Sequence, residues 1–206
     1  MRKIIVPAFV TLDGVIQSPG NPDEDTTHGF TLGGWFWPYA DEATDAMEDL
    51  FRRPFELLLG RRTYDVFAGF WPNVAPDSPL RGTADLFNRT TKHVATHRAD
   101  ALGWNHSRTL GPDAVAAVRA LKQSDGPDLL TQGSSELVQQ LLATDLVDEL
   151  ILIVVPILLG TGKRLFDERA QPTAFRLLSS TTSSKGNVVN RYAREGVVHP
   201  ASPTND

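Results

Sequence analysis

Cysteine is absent from the 206 residues, which excludes disulfides, thiolate nucleophiles, thiolate zinc sites and iron–sulfur clusters together. No apolar run reaches the roughly 18 residues needed to cross a bilayer. The longest, Leu150 to Leu159, is interrupted by Pro156, so no membrane partner is expected. A basic excess is also lacking: 20 Lys and Arg, scattered against 25 Asp and Glu, leave a net charge of −5 and no face for nucleic-acid phosphates. His28, His93, His97, His106 and His199 form no HExxH or HxE pair, so no metal site is expected. The GxGxxG, GxxxxGK[ST] and GxSxG patterns are missing as well, which removes the Rossmann fingerprint, the P-loop and the serine-hydrolase elbow. Met1-Arg2-Lys3 passes at once into Ile4-Ile5-Val6 without the apolar core of a signal peptide, and a cytoplasmic location is the expectation.

What is present is an average globular composition, 41% hydrophobic and 22% charged, enough for one full core. Lys3 to Val10 is apolar and β-branched throughout, as in a strand buried on both faces. Ser18 to Gly34 is rich in Gly, Pro, Asp and Thr and too long for a connector, which marks a functional loop. Asp41 can cap a helix that places Ala43, Met47, Leu50 and Phe51 on one face and stops at Pro54. Glu56 to Leu59 is a second buried strand, Gly60 ends it, and Arg61 to Phe70 is helical. A short helix around Ala84-Leu86-Phe87 precedes a third strand, His93 to Thr96. A helix from Pro112 to Lys122, with proline in its first turn, a strand from Asp128 to Thr131 and a helix from Ser135 to Ala143 follow. This alternation favours a mainly parallel sheet covered on both faces. Beyond Leu150, the runs Ile151 to Pro156, Ala174 to Thr182 and Val188 to Arg194 are extended, and the turn Ser184-Lys185-Gly186-Asn187 implies an antiparallel hairpin at one sheet edge.

Three strand ends carry polar clusters. Gly60-Arg61-Arg62-Thr63 places a helix start, two guanidinium groups and a hydroxyl together, an arrangement suited to an anion. Gly133-Ser134-Ser135 repeats that chemistry, with Ser135 as a cap and Glu136 in the first turn; taken alone it is also an ordinary capped helix. Thr96-His97-Arg98 supplies a third cluster, in which Arg98 is either a partner for a 2′-phosphate or an exposed loop arginine. Ligands of open α/β sheets lie beyond the carboxyl ends of strands, so convergence of the three is the expectation. Trp35, Phe36, Trp37 and Tyr39 either wall a pocket for a flat heterocycle or fill core. Gly160-Thr161-Gly162 reads as a loop bend.

Thr11-Leu12-Asp13-Gly14-Val15-Ile16, Leu58 to Tyr64, Leu146 to Leu150 and Pro156 to Gly162 resemble, in order, segments of the dihydrofolate reductase-like proteins. The closer branch is similar to the C-terminal reductase domain of riboflavin biosynthesis enzymes. The resemblance covers roughly residues 2 to 195 and implies an α/β fold: a mainly parallel central sheet flanked by helices, with an antiparallel C-terminal hairpin. It implies NADPH as cofactor. Arg61, Arg62 and Thr63 would lie at the 2′-phosphate and pyrophosphate, Thr96, His97 and Arg98 near the adenosine phosphate, and Gly133, Ser134 and Ser135 around the pyrophosphate. Ala8 and Ile16 would lie against the nicotinamide, and Trp35 and Trp37 at the substrate.

Dihydrofolate reductases hold the pterin with an acidic residue on the helix after the first loop, a region that here contains Asp41 and Asp45. With Asp13 these are the candidate catalytic carboxylates, although Asp41 is equally plausible as an N-cap. Gly133-Ser134 replaces the paired glycines of the family's third phosphate site, and a non-proline cis bond costs about 2.5–4 kcal/mol, so the family's cis peptide stays open here. The expected organisation is one reductase domain, residues 1–196, with a disordered tail, residues 197–206. The expected activity is hydride transfer to a ribosylaminopyrimidine-like or pterin-like heterocycle, in a homodimer. The alternative is a non-catalytic nucleotide-binding or sensor protein on the same fold.

Overall fold

The strand Ile4–Thr11, β1, is apolar on both faces because both are covered: Ile4, Val6, Ala8 and Val10 join one core cluster and Ile5 joins another on the opposite side. In the computed structural model, which describes residues 1–98 and 100–201, β1 is hydrogen-bonded in parallel to both of its neighbours, β5 (Asp128–Thr131) and β6 (Glu149–Val155). The other strands are β2 (Phe55–Gly60), β3 (Lys92–Ala95), β4 (Ser107–Thr109), β7 (Thr173–Thr182) and β8 (Val188–Val197). They form one eight-stranded sheet in the order β4-β3-β2-β5-β1-β6-β8-β7. The first six strands of that order are parallel; β8 runs antiparallel to β6, and β7 antiparallel to β8.

Helices α1 (Asp45–Phe51), α2 (Arg61–Phe70) and α3 (Arg81–Arg89) cover one face through Met47, Leu50, Tyr64 and Phe87. Helices α4 (Ala114–Gln123) and α5 (Ser135–Ala143) cover the other through Val118, Leu137, Val138 and Leu141. A third, smaller cluster of Val15, Phe30, Trp35, Phe36 and Val155 lies under the long loop after β1. Among the described residues, no helix is long and apolar enough to cross a membrane.

The expected fold class and the C-terminal hairpin are present, the latter closed by Ser183 N–H donating to Asn187 O at 2.9 Å, with Gly186 at φ 81°. Several local expectations need correction. Pro112 precedes the fourth helix instead of opening it, because Asp113 is the cap and accepts from Ala116 N–H at 2.9 Å. Asp41 caps a 3-10 turn, Glu42–Thr44, that leads into α1. Ser135 is the first residue of α5, and the cap position belongs to Ser134. The extended run after Leu150 pairs in parallel with β1 before the chain turns into the hairpin. Of the expected tail, Val197 still ends β8, and residues 202–206 lie outside the described residues.

Candidate functional site

β2 and β5 are parallel neighbours, with Leu57 opposite Leu130 and Leu58 opposite Thr131, yet they feed helices on opposite faces of the sheet. That divergence puts two helix N-termini at their carboxyl ends, the usual place for a ligand in an open α/β sheet. The two starts are tied together: Gly60 N–H donates to Ser134 Oγ at 2.8 Å, and Ser134 Oγ donates to Thr63 Oγ1 at 2.9 Å. A Cβ on Gly60 would come within 3.2 Å of Ser134 Cβ, so the approach depends on glycine. Gly133 at φ 68° and Ser134 at φ 64° both adopt the left-handed region, and no cis peptide occurs among the described residues. Neither α2 nor α5 has a side-chain cap, which leaves first-turn N–H groups and two positive dipole ends available to an anion. The Ser134 hydroxyl, a capping group by type, is spent on the bridge instead.

The third cluster joins α2 through charge. Arg61 Nε donates to Asp65 Oδ1 at 2.8 Å and Arg61 Nη2 pairs with Asp100. Arg98 Nη2 pairs with the other oxygen of Asp65, its Nε lies 3.9 Å from Asp100 Oδ1, and its backbone N–H donates to Thr96 Oγ1 at 3.1 Å. Arg61 Nη1 is buried without a partner among the described residues. His97 is exposed. Arg62 turns the other way: its Nη1 donates to Asp25 Oδ2 at 2.9 Å, and Lys163 pairs with the same carboxylate oxygen. Burial works against the charge on Asp25, but hydrogen bonds from Lys163, Thr27 and Arg62 outweigh it and hold the carboxyl well below the usual range. Asp25 thereby ties the long loop to the start of α2 and to the loop after β6. No sequence signal marked it, since its partners stand 37 and 138 residues away.

Ala8 and Ile16 are buried in the same cluster as Leu137 of α5. The three candidate carboxylates are placed differently. Asp13 accepts from Thr11 Oγ1 at 2.6 Å and from the backbone N–H groups of Gly160 at 2.8 Å and Leu159 at 3.2 Å. The Thr11 hydrogen bond, with help from these N–H groups, lowers its pKa. Asp41 accepts from Ala43 N–H at 3.0 Å, Lys185 N–H at 2.8 Å and Asn187 Nδ2 at 2.9 Å. Burial works against its charge, yet these bonds and one from Ser183 hold it well below the usual carboxylate range. Both carboxylates tie loops together through these hydrogen bonds. Asp45 opens on to a cavity of about 350 Å³ between α1 and the hairpin, away from the carboxyl ends of β2 and β5. Trp35 is 7% exposed, with its indole N–H donating to Gln17 O at 2.7 Å, so it is core, as its second reading allowed. Trp37 is 58% exposed. The bend Gly160-Thr161-Gly162 packs on the long loop; a Cβ on Gly162 would come within 2.7 Å of Val15 Cγ1.

Comparison with known proteins gives a consistent picture. A family model described as the RibD C-terminal domain matches residues 2–189. Two uncharacterized proteins of Bacillus subtilis (strain 168) align over most of their length. YwjB is 28% identical over 177 residues, 85% of this chain and 89% of its own, and YyaP is 26% identical over 200 residues, 95% and 96% respectively. A candidate riboflavin biosynthesis protein from Shewanella sp. PV-4 superposes with a TM-score of 0.66 at 22% identity, over 94% of this chain and 99% of that one. A pyrimidine reductase-like protein from Corynebacterium diphtheriae follows with a TM-score of 0.58 at 13% identity, over 94% and 92%. Dihydrofolate reductase from Enterococcus faecalis, solved with NADP(H), superposes with a TM-score of 0.56 at 13% identity, over 93% and 96%. At these identities the solved structures establish the fold.

Proposed function

The chain belongs to the RibD C-terminal domain family, and from that premise we propose that it is an NADPH-dependent reductase acting on a small planar heterocycle, ribosylaminopyrimidine-like or pterin-like. The observation that carries this reading is the bridged pair of uncapped helix starts, Gly60 N–H to Ser134 Oγ to Thr63 Oγ1, at the divergence of β2 and β5. Two dipole ends and unspent N–H groups suit a pyrophosphate. Arg61 and Arg98 stand at the α2 end, where a 2′-phosphate would be held, and the orphaned Arg61 Nη1 is a donor in search of an acceptor. The cofactor fits this donor set.

When bound, the cofactor supplies a hydride. The chain's own part is to fix geometry: Ala8 and Ile16 offer an apolar wall for a flat ring, and the Val15, Phe30, Trp35 and Phe36 cluster stiffens the loop beside it. Reduction of a C=N or C=O bond also consumes a proton. Asp13 and Asp41 are held as anions by their hydrogen bonds, so neither stores that proton at neutral pH, and Asp45 borders the separate cavity between α1 and the hairpin, which favours water as the source.

Titration of NADPH fluorescence, followed by NADPH oxidation assays with dihydrofolate and with a ribosylaminopyrimidine, tests the proposal. Tight binding with turnover on either substrate class is the expected result. Binding without turnover would favour the non-catalytic nucleotide-binding reading, and failure to bind either nicotinamide dinucleotide would sink both. The homodimer is supported by β7, an unpaired sheet edge with Leu177 and Leu178 exposed; a monomer mass by light scattering would remove it.

A further inference from the structure

Four charged side chains at the start of α2 and the end of β3 alternate in sign around a closed ring. Asp65 accepts from Arg61 through one oxygen and pairs with Arg98 through the other, and Asp100 faces the same two guanidinium groups from the far side. Two cations and two anions leave no net charge. A bare pair of arginines would meet a dianionic phosphate with a charge of +2, whereas this ring meets it neutral. The pairs are also exchangeable: Arg98, Asp65 and Asp100 are 54%, 41% and 55% exposed, and exposed pairs are weak and screened by salt. Arg61 is the fixed member, with a side chain 15% exposed and a buried Nη1 that has no partner among the described residues. Beside the ring lies an open cleft of about 410 Å³, bordered by Arg61, Asp65 and Trp104.

We propose that Asp65 and Asp100 set the cofactor choice of this protein, by competing with a 2′-phosphate for Arg61 and Arg98, so that NADH is accepted alongside NADPH. The inference rests on the cofactor reading above. A 2′-phosphate gains Arg98 and the paired nitrogens of Arg61 only by displacing carboxylates already bound to them. A ribose without that phosphate needs no displacement, because its 2′- and 3′-hydroxyls are donors and the ring offers carboxylate oxygens as acceptors. The same four groups therefore tax one cofactor and welcome the other.

The test is a set of dissociation constants for NADPH and NADH, measured on the wild type, Asp100→Asn and the Asp65→Asn/Asp100→Asn double variant, with thermal melting to confirm the fold. The wild type is expected to bind the two cofactors within about tenfold of each other. Asp100→Asn is expected to raise the preference for NADPH by about tenfold, a change of about 1.4 kcal/mol, and the double variant by more, with NADH unchanged or weaker. Added salt is expected to weaken NADPH more in the variants than in the wild type. An unchanged preference in both variants, an equal loss for both cofactors, or a wild type that prefers NADPH several-hundredfold would overturn the inference and leave the cofactor reading standing. A wild type that binds neither dinucleotide would overturn both.

Discussion

At the amino ends of the strands, Arg2 is 5% exposed and pairs with Glu56, whose carboxylate also lies 2.7 Å from Nε2 of the 6%-exposed His93. At the carboxyl ends, Arg61 and Arg98 face Asp65 and Asp100 in a ring open to water. The residue types are nearly the same, but the surroundings decide what they do. At the amino end, three charged groups also hold main chain in register: Arg2 Nε donates to Pro127 O, Asp128 accepts from Lys3 N–H at 2.9 Å, and Asp148 accepts from Ile4 N–H at 2.8 Å. These ties seat β1 between β5 and β6. At the carboxyl end, the helix starts are uncapped and the ion pairs can be exchanged for a ligand's charges. Buried pairs resist removal of one partner, because the other is left as an unpaired charge; exposed pairs fall back on solvent.

Breaking the amino end carries the largest expected effect. Glu56→Ala strands Arg2 in the interior and is expected to cost about 3 kcal/mol in urea unfolding, whereas Asp65→Asn costs less than about 1 kcal/mol. Equal costs at the two ends would break the comparison. Ser134→Ala comes next: it leaves Gly60 N–H without an acceptor and is expected to cost about 1 kcal/mol while weakening NADPH binding. An unchanged unfolding midpoint and unchanged binding would show that the bridge is idle.

A separate effect, one of pH, is expected at the first residue of β3. Lys92 is fully buried, with Nζ donating to Asn88 O at 3.1 Å and Asn105 O at 2.8 Å and standing 4.0 Å from the centre of the Trp104 ring. Burial lowers its pKa from 10.5 to about 8. Between those values the folded protein has shed a proton that the unfolded chain still holds, so stability rises with pH across the window. The wild type is therefore expected to gain stability relative to Lys92→Met between pH 8 and 10.5, by parallel urea titrations, and a flat difference would place the amine in a wetter site than the fold implies.

The legibility of these features in the sequence follows their physics. β1, β2 and β5 could be read because a strand buried on both faces must be apolar throughout. β4 could not: Ser107, Arg108 and Thr109 bury almost nothing and are a strand only through main-chain pairing with β3. Gly60 and Gly133 marked both helix starts, Gly133 through its left-handed backbone and Gly60 through its close approach to Ser134. That Ser134 abandons its own helix to hold Gly60, 74 residues away in sequence, depends on β2 and β5 lying side by side. Asp41 read equally well as a cap and as a substrate anchor; the fold adds partners that local sequence does not show, bringing Lys185 N–H and Asn187 Nδ2 to the carboxylate. Trp35 faced the same choice, and the Gln17 carbonyl and the Val15–Phe30 cluster claimed it for the core.

The alternation of strands and helices, the family and the three polar strand ends follow from local sequence, because periodicity, glycine turns and helix starts are properties of neighbouring residues. The partner of each charge was assigned by contacts between distant segments. These contacts gave Asp25 to Arg62 and Lys163, Asp13 to the bend at Gly160, and Asp65 and Asp100 to the arginines that a phosphate would claim. A carboxylate carries no mark of its role in its local sequence; whether it caps, latches or competes is set by which donors the fold brings within about 3 Å of it.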